Sequence, residues 1–427
     1  MKAPHGVARR EGHRYALDLN MGNGAWRVAI SGAGIGGLAL AFGLQRQGLD
    51  VVVLERQPGV RGGGAGISLW PNALAALDEL ALGDVVRRLG QAICEGGQRR
   101  FDGRLGPHFT AKSFVGSLGE GLVCVDRGDL VRTLGGLLDP GTVQANRSVT
   151  GYELRGSSVT LRIDGQDSVE VDAVVGADGI HSPIARQMNG GFQFTYSGYT
   201  AWRGLVESAF ETDRAQMQVC LAGGHEFGWM PVGGGRTYWF ATACLPEAYD
   251  PPRGDKVCLA EMFEGWPPPV SDLINRTPVD ALVRNDIVDR AFLDRWHDGP
   301  VAIMGDAAHP MRPHLGQGGC QAIEDAAALV SCLADESFDV VKSFARYQRS
   351  RERRARRVVR LSKRTGFTRL PGPATTMLDR ITSSAPSFEI GPVFRVLKPI
   401  AGYAAGSSAA RPKWPNRGWR PHPPQFR

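Results

Sequence analysis

The run Trp26-Arg-Val-Ala-Ile-Ser-Gly32-Ala-Gly34-Ile-Gly-Gly37-Leu-Ala-Leu-Ala-Phe-Gly-Leu-Gln-Arg-Gln-Gly48-Leu-Asp50-Val-Val-Val-Leu-Glu55 decides the fold. Trp26 to Ile30 is a short apolar stretch rich in β-formers. Leu38 to Gln47 has helical periodicity closed by Gly48, and Asp50 to Glu55 returns to a strand. Gly32, Gly34 and Gly37 fill G-x-G-x-x-G between the first strand and the helix. The first allows a tight turn, the second lets backbone approach a pyrophosphate, and the third lets helix and strand pack closely. The helix N-terminus then turns its partial positive charge toward the phosphates. Glu55 is placed to accept hydrogen bonds from adenosine ribose hydroxyls, and Arg56 can lie along the adenine. This order defines a dinucleotide site and leaves NAD and FAD equally open.

Two further strands end in motifs. Val169 to Val175 enters Gly176-Ala-Asp178-Gly179, and Pro300 to Met304 enters Gly305-Asp306-Ala-Ala-His309-Pro310. Between them, Phe192 to Ala243 reads as short strands with aromatics and glycines (Tyr199-Thr-Ala-Trp202-Arg203, Phe227-Gly-Trp229-Met-Pro231, Tyr238-Trp239-Phe240). That texture predicts an antiparallel sheet inserted into the nucleotide-binding fold, one face packed inward and the other roofing a substrate cavity. The predicted organisation is a flexible extension over 1–25, a discontinuous cofactor-binding domain over 26–187 and 283–370, and a substrate-binding sheet domain over 188–282. A C-terminal helical segment over 371–410 and a disordered, proline-rich tail over 411–427 follow.

Composition narrows the function classes. The 427 residues are 42% hydrophobic, enough for a large core. The longest apolar stretch, Val28 to Leu44, holds five glycines and is shorter than the about 20 apolar residues of a spanning helix. The seven cysteines form no C-x-x-C pair, and no His/Cys/Asp cluster has metal-ligand spacing. A reducing cytoplasm and no metal are expected. The net charge of +7 comes from Lys342 to Arg369, with 12 Lys and Arg against one Glu, so the rest of the chain is net acidic. Its arginines follow a helical pattern, which predicts the solvated face of a long surface helix and no nucleic-acid partner. Contact with an anionic membrane surface stays open.

Gly176-Ala-Asp178-Gly179-Ile-His-Ser182 and Gly305-Asp306 through Gly316-Gln317-Gly318-Gly319, followed by Ala322-Ile-Glu-Asp325, resemble the motifs of class A, para-hydroxybenzoate hydroxylase-like flavoprotein monooxygenases. Asp126-Arg127-Gly-Asp129-Leu130 resembles that family's flavin-contacting arginine segment. Gly64-Ala65-Gly66-Ile67 through Asn72, Tyr199 through Gly204 and Pro231 through Trp239 are similar to the zeaxanthin epoxidase, salicylate hydroxylase and urate hydroxylase branch. Arg186 stands one residue later than the family's Ser-x-x-Arg.

The resemblance implies an α/β fold with a Rossmann-like FAD-binding domain of the para-hydroxybenzoate hydroxylase type, an inserted antiparallel substrate sheet and C-terminal helices. It implies FAD as cofactor, with NADH or NADPH docking transiently as co-substrate. Asp306 would bond a ribityl hydroxyl, and the backbone from Gly316 to Gly319 would face flavin N1 and the C2 carbonyl. Asp178 and Gly179 would contact FAD and NAD(P)H; Ala65, Gly66, Arg127, Pro313, Gly316, Gly318 and Gly319 join the cofactor set. Reduced flavin and O2 would give a C4a-hydroperoxide whose electrophilic terminal oxygen hydroxylates or epoxidises an electron-rich aromatic or isoprenoid-like small molecule. Arg203 is the candidate for substrate orientation, with Tyr238 and Tyr199 as hydroxyl donors. His309 reads as structural, while His181 and His314 stay ambiguous. The rivals are a halogenase or reductase of the same fold, or a flavin-bearing interaction protein.

Overall fold

Val28-Ala-Ile and Val51-Val-Val are β-rich runs apolar on both faces, as expected for central parallel strands covered on both sides. In the computed structural model they lie in a six-stranded sheet. Its order is β18 (His297–Asp298), β19 (Val301–Ile303), β12 (Ala173–Gly176), β1 (Arg27–Ser31), β2 (Asp50–Leu54) and β8 (Val143–Gln144). β1 pairs in parallel with β2 and β12, and β12 pairs in parallel with β19. The three motif-bearing strands therefore run side by side. Their C-terminal ends release the Gly32, Asp178 and Asp306 loops at one edge, where open α/β sheets bind ligands.

The structure describes residues 26–59, 65–100, 103–207, 215–334, 339–364, 387, 389–390 and 394–401. The segments read as a flexible extension and a disordered tail lie outside these, as does most of 371–410. Among the described residues no helix is long and apolar enough to cross a membrane.

Helix Ile35–Arg46 is buried from Ile35 to Leu44 and packs against helix Gly318–Leu333. A Cβ on Gly43 would stand 2.5 Å from a Val330 methyl, and one on Gly36 3.0 Å from the Ala322 methyl. Glycine at these points sets the helix spacing.

The second sheet has seven strands: β17 (Val283–Arg290), β13 (Phe194–Glu207), β16 (Arg236–Ala243), β15 (His225–Pro231), β14 (Gln216–Ala222), β5 (Glu95–Arg99) and β6 (Leu105–Thr110). It is antiparallel except at the parallel β14–β5 pair. The sheet is thus wider than 188–282, drawing two strands from 95–110 and one from 283–290. β13 is also longer than the short strands expected, at 14 residues, with its register broken between Tyr196 and Thr200 around Gly198 (φ +88°). One face buries Trp202, Phe227, Trp229 and Trp239 beneath helices Asp255–Met262 and Val270–Arg276. Phe227 and Trp239 stack at 5.1 Å. Each such side chain contributes roughly 1.5–3 kcal/mol through burial.

Two smaller sheets complete the fold. β3 (Gly66–Leu69) and β4 (Gln91–Ala92) flank β7 (Val123–Asp126), while β9 (Val149–Arg155), β10 (Ser158–Ile163) and β11 (Val169–Val171) form a meander.

The long helix predicted in Lys342 to Arg369 spans Val340–Arg364. Arg346, Arg349, Arg353, Arg357, Arg360 and Arg364, which carry the helical pattern, are exposed, and Arg356 is half-buried. Arg351 is 5% exposed and points inward to meet the buried carboxylates of Glu324 and Asp325.

Candidate active site

The Gly-rich turn has the geometry its sequence requires. Gly32 has φ +105°, and a Cβ there would meet the Ala177 carbonyl at 2.6 Å. A Cβ on Gly37 would lie 2.2 Å from the Gly32 oxygen, whereas one on Gly34 meets nothing within 4 Å. Gly34 caps helix Ile35–Arg46 with no side chain satisfying the first N–H groups, which leaves an electropositive recess facing open space. Glu55 accepts from the Ala33 and Gln57 N–H groups, both at 2.8 Å, and so fixes the loop that makes the recess. Arg56 is exposed beside it.

Asp178 and Gly179 follow β12. Ser31 Oγ donates to Asp178 Oδ2 at 3.2 Å, and Oδ1 has no partner of normal geometry among the described residues. Burial pushes this carboxyl up to about 6, against the opposing pull of the Ser182 and Ser31 hydroxyls. Asp306 follows β19. Its carboxylate is accessible from the cleft although protein surrounds it, and burial raises its pKa against the pull of His309, Arg127 and Arg290. Arg127 is exposed at the start of helix Arg127–Gly136, where its N–H donates to the Ala65 carbonyl at 2.9 Å.

Pro313–Leu315 forms a short turn ending at Gly316 (φ +60°), and Gly318 opens helix Gly318–Leu333, again with no side-chain cap. β3 runs beside this helix start. A Cβ on Gly316 would lie 2.7 Å from Ser68 Oγ, and one on Gly319 2.4 Å from Ile67 Cδ1. At the N-terminal end of β3, a Cβ on Gly66 would strike the Tyr238 ring at 2.6 Å. Tyr238 belongs to the seven-stranded sheet, so the second sheet lies over the loops of the first as a roof over a floor.

The roof's inner face carries Arg203 and Tyr238. Arg203 Nη1 donates to Asn285 Oδ1 at 2.7 Å. Burial raises the Tyr238 phenol, against the opposing charge and hydrogen bond of Arg203. Tyr199 is fully buried, its ring 5.1 Å from that of His314. His309 is buried and shares a 2.6 Å hydrogen bond with Asp325. His181 is exposed against the Phe194 ring, and Arg186 is exposed over Phe192.

Two features had been given no role by the sequence. Arg290, at the end of β17, donates to the carbonyls of Ile180 (3.1 Å) and Ala307 (2.7 Å), tying the Asp178 loop to the Asp306 loop; burial lowers its pKa to about 10. Asp325 Oδ2 also accepts from the Gly305 N–H at 2.8 Å. With Arg351 it forms a buried network that continues through Glu324 to Asn72 at 2.7 Å. Only the spacing of Glu324-Asp325 on an otherwise apolar helix hinted at this network.

A glycine-rich turn and uncapped helix start at the C-terminal edge of a parallel sheet, with a second sheet packed across the neighbouring loops, make up the architecture of a dinucleotide-cofactor-binding protein. The FAD binding domain family matches residues 138–362, and the NAD(P)-binding Rossmann-like domain family matches residues 30–73. The chain is 35% identical over 339 residues to an aurachin C monooxygenase/isomerase of Stigmatella aurantiaca, covering 79% of this chain and 88% of that one. It is 33% identical over 350 residues to a zeaxanthin epoxidase of Nicotiana plumbaginifolia, covering 77% of this chain and 53%, about half, of that one. The crystal structure of Klebsiella pneumoniae HpxO with FAD and uric acid superimposes with a TM-score of 0.80 at 28% identity, over 88% of this chain and 97% of that one. The chain belongs to the FAD-dependent monooxygenases of class A.

Proposed function

We propose that this monooxygenase consumes NAD(P)H and O2 to hydroxylate or epoxidise an electron-rich aromatic or olefinic small molecule held between roof and floor. The observation that carries this reading is that Tyr238 packs against Gly66 of β3, with Arg203 beside it on the same roof face, while β3 in turn packs against Gly316 and Gly319 at the start of helix Gly318–Leu333. Residues 26–187 and 283–370 would hold FAD, and 188–282 would supply most of the substrate wall.

The residues present suit FAD. A pyrophosphate needs N–H donors and room, which the recess at Gly34 offers; ribose and ribityl hydroxyls need acceptors, which Glu55, the unpartnered Asp178 Oδ1 and Asp306 offer. Gly318 keeps backbone open beside Asp306, Gly316 and Gly319 let β3 close on the helix start, and Ala65, Gly66, Arg127 and Pro313 would line the ring with them. When bound, FAD supplies reduction by NAD(P)H and activation of O2. Arg203 orients an anionic or hydrogen-bonding group of the substrate, and Tyr238 donates its hydroxyl. The apolar wall of Leu205, Phe240, Phe109 and Trp70 keeps water out.

The test is a screen of phenols and olefins for faster NAD(P)H oxidation under 18O2. One 18O atom in the product is expected; halide incorporation, or no incorporation with any accelerating compound, overturns the reading. Arg203→Ala is expected to keep flavin bound while diverting most of the oxidised NAD(P)H to hydrogen peroxide, read by a peroxide assay.

A further inference from the structure

The roof's inner face is chemically graded. Ala201, Thr242 and Glu226 align across β13, β16 and β15 as one row, Arg203, Phe240 and Gly228 as the next, and Leu205, Tyr238 and Met230 as the third. Beyond the third row lie Phe109, Phe114 and, from helix Phe394–Ala401, Phe394 and Leu397. One end of the roof face is thus polar and the other apolar, closing on a packed cluster of aromatic rings.

At the polar end, Glu226 Oε2 stands 4.0 Å from His314 Nδ1, with the side chains 15% and 6% exposed. Thr242 Oγ1 lies 3.5 Å from the same carboxylate. Among the described residues no Arg or Lys pairs with Glu226. His314 belongs to the turn just before Gly316, so the pair bridges roof and floor where the cofactor loop begins. A half-sealed carboxylate without a fixed cation is costly to fold around, and such groups cluster where chemistry is done.

We propose that Glu226, supported by His314, is the acid–base group of the chamber and takes the proton of a weakly acidic O–H or N–H on an aromatic ring. The ring's apolar substituent would extend along Leu205, Tyr238 and Met230 toward Phe109 and Phe394. The substrate class is an alkyl- or isoprenyl-substituted phenol or hydroxy-heteroaromatic. The inference rests on the roof being the substrate wall.

In the step, the substrate X–H bond breaks, its proton bonds to a Glu226 carboxylate oxygen, and the electron pair stays on X, where it delocalises into the ring. No oxidant is consumed. Arg203, one row on, faces the resulting anion. Burial pushes the Glu226 carboxyl up to about 7, against the opposing hydrogen bond of Thr242, so it can exchange protons near neutrality. The other groups facing it are His314 from the turn and Tyr199 from β13; the paired Arg312 and Asp289 lie beyond Tyr199.

The test titrates the FAD-loaded protein with 4-hexylphenol and reads the bound phenolate by ultraviolet difference spectroscopy against pH. The ionised Glu226 carboxylate opposes a second negative charge beside it, so Glu226→Gln is expected to lower the pH at which the bound phenol ionises by at least about one unit, a tenfold effect on the proton equilibrium. Affinity should stay within about threefold, because the tail contacts remain. Glu226→Asp should keep the wild-type midpoint within about half a unit, and His314→Asn, which spares the carboxylate, should move it by less than Glu226→Gln does. An unchanged midpoint in Glu226→Gln, or no binding of alkylphenols of any chain length, overturns the proposal. Bound, ionised phenol without 18O in any product overturns the reaction reading instead and leaves the pair standing.

Discussion

Gly34 and Gly37 stand three residues apart and answer to different constraints. Gly34 has φ −76° and no atom within 4 Å of its would-be Cβ, so the fold itself tolerates a side chain there. Gly37→Ala drives a methyl into the Gly32 carbonyl and is expected to cost roughly 1–3 kcal/mol. Thermal melts of flavin-free protein check both: Gly34→Ala should melt within about 0.5 kcal/mol of wild type yet bind FAD at least tenfold more weakly. Asp178 adds a pH signature. Its folded pKa of about 6 lies above the ordinary aspartate value, so ionisation opposes the flavin-free fold above pH 6. That fold therefore gains stability as pH falls from 7 through 6 toward 4. Asp178→Asn should raise the flavin-free melting temperature at pH 7.5 by up to about 3 kcal/mol equivalent, with the gain fading by pH 5. An equal effect at both pH values would contradict the assignment.

Helix Val340–Arg364 separates arginines that look alike in sequence. Arg353 and Arg357 are exposed, and reversing both charges should move stability by no more than about 0.5 kcal/mol each. Arg351→Met leaves Asp325 with His309 and the Gly305 N–H and leaves Glu324 with Arg354 as its one cation, so two buried carboxylates lose a shared charge partner and a loss of about 3 kcal/mol is expected in urea unfolding. Burial alone would raise Asp325, yet His309 and Arg351 together hold it down to about 2. Its stabilising contribution is therefore present above the ordinary aspartate pKa and lost as pH falls from about 4 toward 2. The amphipathic repeat made this helix legible. It could not say which arginine turns inward, because the partners of Arg351 lie on the preceding helix and buried carboxylates have no local signature.

At the scale of the molecule, β1, β12 and β19 were legible because each is an apolar run ending in its own motif, and their adjacency brings the three loops together. β5 was not: Glu95-Gly-Gly-Gln-Arg99 has no β pattern. It forms because β14 offers an unpaired edge and because Gly96 and Gly97 leave room for Phe109 and His108 of β6 to lie across them. The inner roof face was legible as aromatic, but its polarity gradient depends on cross-strand register, which no single strand encodes. FAD contacts all three loops in this reading, so saturating flavin at about 100 Kd should stabilise the fold by about 2.7 kcal/mol, read as a rise in melting temperature. The β14–β5 pairing also bears on how such enzymes can be recombined. Exchanging residues 188–282 for those of a relative would leave β5 and β6 behind as the edge of a foreign sheet, with mismatched register and exposed hydrogen-bonding groups that invite aggregation. A chimera that respects the fold must carry 95–110 and 283–290 along with the insert, so substrate scope and cofactor scaffold are inherited as interleaved pieces of one chain.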